Sequence, residues 1–207
     1  MRAYLRSEQT MGKGRARRFV PRNAGPLAGF RSIVALMALA FLCGNSLVLR
    51  AQSVEEHEAK AAFVLKLVNF VQWPKATNQH NSNLVVCIAG ADATSDALQR
   101  LASGKAIDGR EIAVHRFNKE SSVAECQVIF IGESERARVT TLLQQVRGAS
   151  VLTVGEGEGL ARTGAVVDLS VADGRIRLEV NPRAAERAHL QISSRLLSLA
   201  TIVGDGT

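Results

Sequence analysis

Apolar side chains recur at helical spacing between residues 54 and 70. Ala59, Phe63, Leu67 and Phe70 form one stripe, and Ala62, Val64, Leu65 and Val68 widen it. The pattern predicts a helix from Val54 to Phe70 whose polar remainder is little more than Lys60, Lys66 and Asn69. Ser53 with Glu56 three residues later reads as a capping box, and the acids of the first turn suit the helix dipole. Pro74 ends the helix, and Ala76 to Asn83 reads as a polar loop. A helix this apolar needs cover, from its own domain or from a partner.

Beyond residue 83 strand and helix patterns alternate. Leu84 to Ala89, Cys126 to Ile131 and Val151 to Val154 are continuous apolar runs, the mark of strands buried on both faces. Helical patterns cover Asp92 to Leu101, with Ala93, Ala97, Leu98 and Leu101 inward, and Ser134 to Val146. The turn Asp108-Gly109 leads into a strand from Glu111 to Phe117, where Ile112, Val114 and Arg116 alternate with Ala113 and His115. Ala165 to Val171 and Arg175 to Val180 flank Ala172-Asp173-Gly174, a hairpin signal with Ile176, Leu178 and Val180 facing in. Asn181-Pro182 opens a short helix to His189. A last amphipathic helix is predicted from Ser193 to Val203, burying Leu196, Leu197, Ala200 and Ile202. The order implies an α/β fold: a single three-layer domain over 54–203, with a mainly parallel central sheet, helices on both faces, and a C-terminal β-hairpin plus helices.

Charge changes this picture mainly at the N-terminus. The net charge of +7 suggests an anionic partner, yet nine of the 26 Lys and Arg residues and one of the 19 acids lie in 1–51. The remainder carries a net charge of −1, and its aromatic residues are not interleaved with basic ones, which argues against nucleic acid. Residues 1–51 read as a basic leader and signal peptide. The stretch Ser32 to Leu49 is uncharged and mostly apolar, and Leu49-Arg50-Ala51 ends in a small residue. A retained membrane anchor is the alternative. The domain is expected in the periplasm.

Outside the leader the chain has two cysteines, Cys87 and Cys126. An oxidising compartment favours a disulfide, and two buried free thiols are the other reading. The spacing supports neither a CxxC redox motif nor a metal site.

Signatures of catalysis fail one by one. Gly155-Glu156-Gly157-Glu158-Gly159 follows a strand, but Leu160 stands where a dinucleotide fingerprint needs glycine, and two carboxylates would repel phosphate. It reads as a flexible connection. Gly132-Glu133-Ser134 lacks the second glycine of a nucleophile elbow, because Arg136 occupies that place, so Ser134 reads as a helix N-cap. His57, His80, His115 and His189 show no metal-binding spacing. No catalytic residue, metal or cofactor is expected, which leaves an exported binding or interaction module.

The run from Glu58 to Pro74, EAKAAFVLKLVNFVQWP, resembles the opening signature of the YfiR family. The resemblance continues through VCIAG (86–90), GKAIDGR (104–110), CQVIFI (126–131), VLTVG (151–155), GRIRLEVN (174–181) and ISSRLL (192–197). It implies a non-enzymatic periplasmic regulator, dimeric, with a Cys87–Cys126 disulfide. The implied partner is the periplasmic sensor region of an inner-membrane diguanylate cyclase (YfiN-like), which it would repress, lowering cyclic-di-GMP and biofilm formation. A small-molecule-binding periplasmic sensor acting on another membrane partner is the alternative. Trp73, Phe70 and Arg195 are the candidate contact residues for partner or ligand.

Overall fold

The computed structural model describes residues 54–74, 83–118 and 121–206. The leader over 1–51, Ser53 and the loop from 75 to 82 lie outside the described residues. Helix α1 (54–67) tightens into a 3-10 turn, Val68–Phe70. Strand β1 (Val71–Gln72) follows at once. The buried stripe of α1 is rotated from the predicted one. Lys60, Ala61, Val64, Leu65, Leu67 and Val68 are buried, Ala59 is exposed, and Phe63 and Phe70 are half-buried. A helix apolar nearly all round leaves its orientation open to the periodicity. A buried ion pair of Lys60, described below, fixes it.

The central strands are β2 (Leu84–Ala89), β4 (Arg110–Arg116), β5 (Val128–Ile131), β6 (Leu152–Glu156), β7 (Val167–Ala172) and β8 (Arg175–Val180). Short strands β3 (Ala106–Ile107) and β10 (Thr201–Ile202) sit at the edges, in the order β10-β8-β7-β6-β5-β2-β4-β3. Neighbours from β4 across to β7 run parallel, and β8 returns antiparallel on β7. Asp173 and Gly174 make that return with φ of 54° and 68°. Positive φ at both central residues is what a two-residue hairpin turn demands.

Period-two alternation divides the core between the two faces of the sheet. Leu84, Val86 and Ile88 of β2 join the first cluster with α1, α2 (Ala93–Ala102) and α5 (Pro182–Arg187). Val85, Cys87 and Ala89 join the second, with α3 (Val139–Gln145) and α4 (Leu160–Thr163). The three-layer α/β architecture expected from the pattern is therefore present. Cys87 and Cys126 are bonded within the second cluster, their Cα atoms 5.8 Å apart.

Three elements depart from the sequence reading. The C-terminal helix is one turn, α6 (Ser194–Leu197), capped by Ser193. The consecutive β-branched residues Thr201, Ile202 and Val203 then leave it for β10, parallel to β8. Ile202, predicted inward, is 52% exposed. The segment after β5 begins as a 3-10 helix, Glu133–Arg138, with Gly132 at its N-cap and no side-chain cap, so Ser134 is free for another bond. Arg116 faces out, with Nη1 donating to the Gly90 carbonyl.

Candidate functional site

The segment Phe70-Val71-Gln72-Trp73 does not trail into solvent. β1 pairs antiparallel with β9 (Gln191–Ile192), Val71 opposite Ile192 and Gln72 opposite Gln191. The Ser193 N–H donates to the Phe70 carbonyl at 2.9 Å. Two residues beyond that bond, Arg195 sits exposed on α6 and forms no ion pair among the described residues. The ladder thus brings Phe70 to the segment that carries Arg195. Trp73 and Phe70 are half-buried against the first core cluster, as are Ile192, Leu197 and Ala200. The Trp73 indole Nε1 is buried without an acceptor among the described residues. Buried indole N–H groups usually find a partner, and no described residue supplies one here.

A second arrangement, missed by the sequence reading, lies at the C-terminal ends of the parallel strands. Lys60 Nζ donates to Glu156 Oε1 at 2.9 Å and to Glu56 Oε1 at 2.6 Å. Thr94 Oγ1 donates to the same Glu156 oxygen at 2.9 Å. The one hydroxyl proton is thereby committed, so Thr94 accepts from His57 Nδ1 at 2.7 Å. Glu156 and Lys60 are 4% and 7% exposed. Burial pulls the Lys60 ammonium down, but its bonds to Glu56 and Glu156 outweigh this and hold its pKa above the usual lysine value. Glu156 is the last residue of β6, not part of a flexible connection. Gly155 before it is packed, since a Cβ there would lie 2.6 Å from Leu160 Cδ2. A visible hint was Lys60 beside apolar Ala61 and Val64, four residues after Glu56.

The crevice between β2 and β5, where the strand order reverses, is where α/β sheets commonly bind ligands. Here side chains fill it. Asp92 caps α2 by accepting from the Ser95 N–H at 2.9 Å and accepts from Ser134 Oγ at 3.1 Å. Ser134 Oγ in turn accepts from the Ala91 N–H at 3.1 Å. Burial raises the Asp92 pKa, but the Ser95 and Ser134 bonds overcome that and leave it below the usual carboxylate range. A Cβ on Gly132 would lie 2.0 Å from Asp92 Oδ2, so glycine lets the two loops meet. This cluster and the Lys60–Glu156 network tie α1, α2 and the strand ends together.

No individually curated protein matches the chain. Several solved structures resemble it, among them the following two. One is a conserved domain protein from Vibrio cholerae O1 biovar El Tor str. N16961, 14% identical, TM-score 0.48, covering 70% of this chain and 59% of that one. The other is the ABC domain in complex with L-Trp from Streptococcus pneumonia, 8% identical, TM-score 0.45, covering 58% and 55%. This chain spans less than two thirds of the length of either. The sequence profile of YfiR/HmsC-like proteins matches residues 57–201, from α1 to the first residue of β10. That span holds the β1–β9 ladder, the Cys87–Cys126 bridge and the Lys60–Glu156 pair. The chain belongs to the YfiR/HmsC-like family.

Proposed function

We propose that this protein is a periplasmic regulator that binds the periplasmic sensor region of an inner-membrane diguanylate cyclase and holds the cyclase inactive. Family membership over 57–201 is the observation that carries the reading. The surface chemistry supports contact with a protein. Phe63, Phe70 and Trp73 are half-buried on the edge of the core, and Leu199 and Ile202 are 72% and 52% exposed. Among the described residues Arg195 has no ion partner and the Trp73 N–H no acceptor. Arginine and tryptophan are the side chains most often found at the energetic centre of interfaces.

The described residues begin at α1, and the basic leader before it serves export in this reading. A homodimer is part of the same proposal. The direct test is a pull-down from solubilised membranes with the tagged domain as bait, in which a diguanylate cyclase is expected to co-purify. Deleting the chain is expected to raise cellular cyclic-di-GMP, and an unchanged level in a strain that keeps its membrane cyclases would sink the proposal.

A further inference from the structure

We propose that the cleft between α3, α4, α5 and the C-terminal tail binds a small amphipathic carboxylate, with Arg147 as the residue that pairs with its head group. The cleft measures about 310 Å³. At the roughly 30 Å³ that a water molecule occupies in the liquid, this is room for about ten non-hydrogen atoms. It opens at the start of β6 and β7, where Val151, Thr153 and Val166 line it. Glu156 is at the other end of β6, and neither Lys60, Trp73, Phe70 nor Arg195 takes part. The inference therefore does not depend on the contact with a cyclase.

The walls dictate the chemistry of the occupant. Leu143 and Val146 of the α3 end, with Val151 and Val166 of the sheet, give one apolar side. The single polar group among the sheet residues, the Thr153 hydroxyl, already accepts from the Val166 N–H at 2.9 Å. With that oxygen engaged by the Val166 N–H, an apolar body can lie against this side.

Three charged residues line the cleft: Arg147, Arg187 and Asp205. Two of them satisfy each other. Arg187 Nη1 and Nη2 donate to the two Asp205 carboxylate oxygens at 2.7 and 2.9 Å, and Asn181 Nδ2 donates to Asp205 at 2.8 Å. Arg147 is exposed and forms no ion pair among the described residues. Its guanidinium is the charge left for a ligand, and its fork matches a carboxylate. A cationic ligand would meet that charge unfavourably, and a neutral apolar one would not use it. The Thr140 hydroxyl and the Gln144 amide also line the cleft and can add hydrogen bonds.

The test uses residues 52–207, which hold every described element, with phenylacetate and its neutral counterpart phenylacetamide as probes. Binding is followed by calorimetry and by the methyl resonances of Leu143, Val146, Val151 and Val166. The expected result is saturable binding of the carboxylate with shifts at those methyls, and about tenfold weaker binding of the amide, in line with a charge-assisted bond. Arg147→Gln is expected to weaken the carboxylate by a similar factor without changing the melting temperature. Absence of shifts at about 10 mM carboxylate, equal binding of the two probes, or unaltered affinity in Arg147→Gln would each overturn the proposal. Shifts confined to residues around Trp73 would overturn it as well. Co-purification of a cyclase is a separate readout, so either proposal can fail alone.

Discussion

Asp168 on β7 lies directly opposite Glu179 on β8, so two carboxylates face each other across an antiparallel ladder. Asp168 is 2% exposed, and its Oδ2 accepts from the Leu160 N–H at 3.0 Å. Asp168 Oδ1 and Glu179 Oε2 are buried with no partner among the described residues. Arg162 neutralises only the other side of the pair, donating to Glu179 Oε1 at 3.0 Å. Burial pushes the Asp168 carboxyl up to about 6; the Leu160 N–H opposes the rise and the Glu179 charge adds to it.

The first prediction follows from that carboxyl. Its folded pKa of about 6 exceeds its ordinary 3.8, so the native state holds the proton more tightly than the unfolded chain. The stabilisation is complete below pH 3.8 and is lost as pH rises through about 6. Its full size is on the order of 2–3 kcal/mol. Asp168→Asn keeps an acceptor for Leu160 and removes the charge. Urea midpoints of the wild type relative to this variant are expected to fall between pH 4 and pH 7. A pH-independent difference would show that Asp168 titrates normally.

Lys60 and Glu156 supply the second. Removing one member of a buried ion pair strands the other, at a cost of about 3–5 kcal/mol, whereas replacing both with apolar groups is often nearly neutral. Lys60→Met alone is expected to destabilise by that order, and Lys60→Met with Glu156→Leu to recover most of the loss. The coupling is read from a denaturant double-mutant cycle. A cycle that closes additively would mean the pair does not hold α1 to the sheet.

The fold was largely legible because most elements obey local rules. The continuous apolar run of β2, the Asn181 cap and the Asp173-Gly174 turn each announce themselves within a few residues. What was not legible depends on partners distant in sequence. Glu156 reads as one more loop carboxylate until Lys60, 96 positions away, is placed against it. The strands β1 and β9 are two residues each, too short for any periodicity, and exist because each is the other's partner. The same holds for β10, which leaves a helical pattern to pair alongside β8. Of the contact candidates, Phe70 and Arg195 are near one another only through the β1–β9 ladder, a relation the sequence carries in no single segment.

Gly132 tests the closed crevice. Its φ of −71° suits any residue, so a substitution acts through contact and not through backbone strain. Gly132→Ala drives a methyl group into the Asp92 carboxylate, 2.0 Å away, and is expected to cost about 1–3 kcal/mol, as overpacking does. Thermal unfolding measures this, and a wild-type melting temperature would mean the Asp92–Ser134 bridge moves freely.

The Cys87–Cys126 bridge closes a loop over a sequence separation of 39. In the chain-entropy model this is worth roughly 4 kcal/mol. The double substitution to Ala is expected to lose about that much in urea denaturation. Reductant is expected to lower the wild-type midpoint towards the variant's and to leave the variant's own midpoint in place. A wild-type midpoint indifferent to reductant after equilibration at the transition would show that the bridge contributes nothing to stability.

Trp73 is the residue where fold and contact can be separated most cleanly. Its ring packs against the first core cluster, but its Nε1 is a buried donor without an acceptor among the described residues. Trp73→Phe keeps most of the packing and deletes the donor. An unmade buried hydrogen bond gives the free protein nothing, so its stability is expected to stay within about 1 kcal/mol of wild type. If the N–H is completed by the proposed cyclase partner, the same variant binds that partner's sensor region roughly 2–10-fold more weakly. Trp73→Ala, which also empties the ring's site, is expected to lower both stability and binding. Calorimetry on the purified variants and titration against the isolated sensor region give the two numbers. A Phe variant that binds normally while melting well below wild type would assign the indole to the fold alone.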